Sequence, residues 1–222
     1  MADKRRGNEP PEQRKGSTPK NVTGPKRPYV KPEAIARGAT EKGYSHALAK
    51  AVLDIESKDR NLQREHATVF RPDGSEVFNK GGDNSSVSFN FAEMMKMKDA
   101  ILTHNHPNVA KSHWWGGVGS PFSKADIMAA VNCDLAEIRA VTPTYTFSIK
   151  RPKGGWGNLK KVEARYKALQ TKYTKNENKY VADGKDYKTK SQRKDRAHLA
   201  KWHQIVRDLS KEFGWEYTKK KG

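Results

Sequence analysis

The sequence predicts a layered α/β domain of the α+β kind, and three observations carry that expectation. Between residues 33 and 150, short β-rich runs alternate with segments of helical period, as they do where helices pack on a sheet. The 222 residues suit one domain of ordinary size with tails. Charge is also segregated within the formal net of +19. Residues 1–40 hold 10 Lys/Arg against 4 Asp/Glu, residues 150–222 hold 22 against 8, and residues 41–149 hold 12 against 13. A nearly neutral middle thus lies between cationic ends, which gives three parts: a disordered basic tail over 1–32, a packed domain over 33–150 and a basic helical extension over 151–222.

Taken in order, residues 1–32 are rich in Pro, Gly, Lys and Arg and offer too little apolar surface to offset the entropy of ordering. Tyr44, Leu48, Ala51, Val52 and Ile55 recur at helical spacing and predict a helix over 33–57. "HATVF", the turn "RPDGS" and "EVFN" read as a hairpin. "VSF" reads as a short third strand. In "NFAEMMKMKD", Asn90 and Glu93 form a capping box that opens a short helix. "AILTH" is the next strand, Ser123 caps a helix over 124–133, and "EIRAVT" and "YTFSIK" are two strands joined around Pro143. After the linker "RPKGGWGN", apolar stripes predict helices over 159–173 and 193–213. The lone Cys133 excludes a disulfide within the chain and reads as a small core residue. With neither an apolar run of membrane-spanning length nor a secretory leader, the expectation is an intracellular chain.

The chemistry gathers at "AILTHNHP" and "SKAD". Side chains two apart on a strand share a face, so His104 and His106 can reach one ion from one rigid element. Asp126, one turn into the following helix, can swing a carboxylate toward the same point. Two imidazoles, one carboxylate and an open position make the ligand set of catalytic zinc rather than structural zinc. Zn2+ is therefore the expected cofactor.

"HNHP…SKAD" resembles the signature of the JAMM/MPN metalloprotease family, also called JAB domains: an upstream Glu, His-x-His-Pro, then Ser-x-x-Asp. The resemblance covers roughly residues 60–150. It implies a mixed sheet flanked by helices, and His104, His106 and Asp126 as zinc ligands. It also implies Ser123 as an oxyanion stabiliser and an upstream Glu as general base. Glu65 in "REHATVF" is the candidate base, with Glu76 and Glu93 as rivals. The implied reaction is hydrolysis of a peptide or isopeptide bond in a polypeptide substrate. "EIRAVTPTYTFSIKR" is similar to the branch found in phages and mobile elements. One departure is the longer spacer 107–122, where Trp114 and Trp115 could form a substrate-contacting flap or simply pack.

Two other classes stay open. A metal-dependent nuclease or toxin would use the same ligands, with the basic ends holding nucleic acid or another polyanion. The literal "HNH" at 104–106 lacks that enzyme class's spacing, and Asn105 should point away from its neighbours. A non-enzymatic nucleic-acid-binding or assembly protein on a JAB-like scaffold is the third class. His113 reads as a loop residue, and His46, His198 and His203 as helix residues outside the site.

Overall fold

The computed structural model describes residues 44–107, 119–183 and 189–222. The tail expected over 1–32, the first part of the helix expected from residue 33, and His113, Trp114 and Trp115 lie outside the described residues.

The element order is α1 (His46–Asp59), β1 (His66–Phe70), β2 (Glu76–Gly81), α2 (Phe91–Met95), β3 (Ile101–Asn105), α3 (Lys124–Asn132), β4 (Glu137–Val141), β5 (Tyr145–Lys150), α4 (Leu159–Asp183), α5 (Lys190–Phe213) and β6 (Glu216–Lys221). The six strands among the described residues form one mixed sheet in the order β2-β1-β3-β4-β5-β6. β3 and β4 run parallel, with α3 in the connection between them, and every other pair is antiparallel. Strand alternation divides the sheet's faces. Phe70 and Ile101 pack with Leu48 and Val52 of α1. Ala67, Val69, Leu102, Ala140 and Phe147 look the other way, into the larger core with Ile127 of α3, Leu169 of α4 and Ile205 of α5. Each helix begins or ends where local chemistry dictates. Ser45 caps α1 by accepting from the Leu48 amide, Asn90 and Glu93 close a capping box on α2, and Gly214 takes the left-handed φ of 71° that ends α5.

Three expectations need correction. "VSF" forms no strand: the Asp83 carboxylate accepts from the Ser85 and Ser86 amides, and the turned chain tucks Val87 and Phe89 against the core without a ladder partner. The two C-terminal helices are longer than their apolar stripes, running to Asp183 and starting at Lys190. The extension expected over 151–222 to be helical is not helical throughout. β6, which no local pattern predicts, pairs with β5 from Tyr145↔Lys221 to Lys150↔Glu216. In the segment expected to be a linker, Trp156 is buried and donates to the Leu135 carbonyl, while Trp215 donates to the Trp156 carbonyl. A helical stripe announces that a face will be buried, not what will bury it.

Candidate metal centre

β3 ends at Asn105, and its neighbours then part. The β1 ladder stops at Ala67↔His104, while the His106 amide still donates to the Val141 carbonyl of β4. The site lies where these strands separate. His104 and His106 present their Nε2 atoms to each other at 3.0 Å. Asp126 faces both, with Oδ1 3.4 Å from His104 Nε2 and Oδ2 3.9 Å from His106 Nε2. The sequence explains this placement. Ser123 and Asp126 form a capping box: Ser123 Oγ accepts from the Asp126 amide at 3.2 Å, and the Ser123 amide donates to Asp126 Oδ2 at 2.6 Å. The cap thus aims the carboxylate as it starts the helix.

One ligand atom from each of the three lies within 4.8 Å of the others. Ligands bound about 2.0–2.1 Å from a tetrahedral ion stand about 3.4 Å apart, close to the observed spacings, so the residues fit a zinc-sized ion. His106 Nδ1 faces the Ser120 carbonyl at 2.9 Å. Donating there fixes its tautomer and leaves Nε2 as a lone pair turned inward. His104 Nδ1 is buried and closes no hydrogen bond, although the Arg139 carbonyl is near enough to act on it electrostatically.

The electrostatics follow from three groups sharing a largely buried site. Burial penalises charge on His106 and the adjacent His104 adds to the penalty, so its pKa falls to about 4 despite Asp126 and the Ser120 carbonyl. Burial also opposes charge on His104, but Asp126, then Glu65, outweigh it and raise its pKa. Asp126 would be pushed up by burial, yet His104 and His106 hold it well below the usual carboxylate range. His106 and Asp126 therefore hold their metal-ready forms, a neutral imidazole and a carboxylate, at neutral pH.

Glu65 joins this group. It is buried, burial raises its pKa, and its charge is felt by His104 and Asp126. By strand parity it shares the face of Ala67 and His104. Its rivals are engaged elsewhere: Glu76 bonds Asn79 on exposed β2, and Glu93 caps α2 and binds Lys80. Ser123 stands exposed at the start of α3, its hydroxyl oxygen in the cap. Among the described residues His46, His198 and His203 stand outside the cluster, and Cys133 is a buried free thiol.

Two neighbours carry no mark in the sequence. Tyr166, which belongs by spacing to a packing stripe, brings a buried hydroxyl without a hydrogen bond into the field of Asp126, which with burial raises its pKa. Asn105 does face away from the histidines, but onto the segment that carries Glu65. Each depends on a strand or helix distant in the chain, so no local signal could have found it.

No protein-family model, curated protein or solved structure matches this chain.

Proposed function

We propose that the chain is a zinc-dependent hydrolase of peptide or isopeptide bonds, of the JAMM-like kind. The observation that carries the reading is the convergence of His104, His106 and Asp126 within 4.8 Å, with Glu65 buried beside them. A zinc ion held there would supply Lewis acidity at the scissile carbonyl and make water acidic enough to attack at neutral pH. Glu65 takes the proton of the attacking water and returns it to the leaving nitrogen; its raised pKa suits both transfers. The Ser123 hydroxyl, whose oxygen accepts in the cap, would donate its proton to the developing oxyanion. A metal-dependent phosphodiesterase is the second reading. It is favoured by the exposed cationic side of α4, which we propose as a contact for a polyanion, nucleic acid being the commonest.

Elemental analysis of the purified full chain, with cleavage assays on a quenched fluorescent peptide mixture and an isopeptide-linked ubiquitin-like dimer, tests the reading. Wild type should carry about one zinc, and His104→Ala and Asp126→Ala should lose it. Glu65→Gln should keep the metal and lose turnover by about 10²–10⁴-fold. A wild-type chain that binds no zinc removes both enzymatic readings. Nuclease activity persisting in Glu65→Gln favours the second.

A further inference from the structure

β1 and β3 are antiparallel neighbours whose ladder closes at Ala67↔His104. One step further, where His66 and Asn105 would pair next, the backbone bonds give way to a side chain. Asn105 Oδ1 accepts from the His66 amide at 2.6 Å, and Asn105 Nδ2 donates to the Arg64 carbonyl at 3.1 Å. These two backbone groups bracket Glu65. The peptide groups of Glu65 itself are also held, its amide donating to the Asp83 carbonyl and its carbonyl accepting from the Gly82 amide, both at 2.7 Å. Every backbone polar group from the Arg64 carbonyl to the His66 amide is therefore bound, half of them by one buried side chain.

We infer that Asn105 is a positioning residue: its amide clamps the start of β1 across the gap where the strands part and so holds the Glu65 carboxylate against the His104–His106–Asp126 cluster. Only a side chain that accepts and donates in one plane can grip an amide and a carbonyl two residues apart. An apolar residue there would leave the His66 amide and the Arg64 carbonyl without the partner that Asn105 supplies. Because His104 and His106 lie on β3 and its continuation, Asn105 between them links the base to the ligands in a fixed register. A misplacement of about 1 Å at a reacting group costs on the order of 10²-fold in rate.

The inference rests on the proposed metal centre, and the test separates the two. In the full chain, zinc is titrated while NMR follows the imidazoles of His104 and His106 and the ¹³C-labelled carboxyl of Glu65, assigned with Glu65→Gln. In wild type one equivalent of zinc should move both sets. In Asn105→Ala the imidazoles should still respond at one equivalent, while the Glu65 carboxyl response is largely lost. On any peptide cleaved by wild type, kcat should fall about 10- to 100-fold with KM little changed. Asn105→Ser, a hydroxyl of shorter reach, should fold if the alanine variant does not and should give the same losses in smaller measure. A Glu65 response equal to wild type in these variants overturns the clamp. If wild-type imidazoles ignore zinc, the metal reading fails instead. The clamp then stands or falls on amide exchange at His66, expected to be about tenfold faster without the Asn105 side chain; unchanged exchange rejects it.

Discussion

His203 of α5 lies against the Phe147 ring and meets the Tyr217 hydroxyl through Nδ1 at 3.2 Å. Burial, then Lys219 and Arg207, disfavour its charged form and lower its pKa to about 4. In the unfolded chain it would take up a proton near the ordinary value of about 6.5. Between those two values the unfolded state binds the extra proton, so this residue's contribution to stability falls as pH drops and is whole above about 6.5. Replacing it with a group that does not titrate removes that slope. Urea unfolding of wild type and His203→Gln should therefore show wild type's advantage at pH 7 shrinking by about 1–2 kcal/mol at pH 4.5, after allowance for partial exposure. A constant difference between the two proteins would mean that His203 is solvated. At this scale the histidines divide by legibility. The spacing of His104 and His106 announces a shared face, and Ser123 and Asp126 announce a cap that also aims a ligand. His203 and Asn105 take their properties from distant elements, Lys219 of β6 and the approach to β1, which no local pattern encodes.

Among the elements, β4 shows why alternation was legible and its meaning was not. "EIRAV" alternates, yet all five of its residues are buried, because α1 covers the face on which Glu137 and Arg139 stand. The cost of burying charge there is met by pairing. Arg139 Nε donates to Glu56 Oε1 at 2.5 Å, Nη2 to Glu56 Oε2 at 3.1 Å and Nη1 to Glu137 Oε1 at 2.9 Å. Thr103 of β3 donates to Glu56 Oε1 at 3.0 Å, Ser148 of β5 and Tyr44 add bonds to Glu137, and Lys150 stands 3.8 Å from it. Burial opposes the Arg139 charge, but the two carboxylates raise its pKa well above the ordinary value. The network ties α1 to the back of the strand that carries His104. Arg139→Met would leave two carboxylates buried with their central partner gone, for a loss of about 3–5 kcal/mol read by denaturant unfolding. Glu56→Gln in the same background should recover part of it, and no recovery would mean that Arg139 acts by packing alone. β6 was illegible for a related reason. "EYTKKK" has no apolar face of its own; it is an edge strand, and lysines at an edge discourage further pairing.

Across the whole molecule, the composition shift at residue 150 marks a change of charge, not of packing. Of the six acidic side chains on α4 and α5, three are spent on internal ion pairs: Glu163 with Lys124 and Lys167, Glu212 with Arg165, and Glu177 with Lys201. A fourth, Asp208, accepts from the Tyr173 hydroxyl. Lys161, Lys172, Lys175 and Lys179, exposed on α4, keep to one side of the helix with Arg165 completing the spacing. At 1.5 Å per residue that row is about 27 Å long, enough to follow a run of backbone phosphates. The polyanion surface we propose therefore has a location. Lys172→Glu, Lys175→Glu and Lys179→Glu together should weaken binding to duplex DNA and flatten the plot of log affinity against log salt by about two to three, near 0.9 for each phosphate no longer neutralised. These exposed side chains stand apart from the metal centre, so zinc content should be unchanged in the same protein. Affinity and salt slope equal to wild type would leave the row a solvated face and shift attention to the other cationic end of the chain.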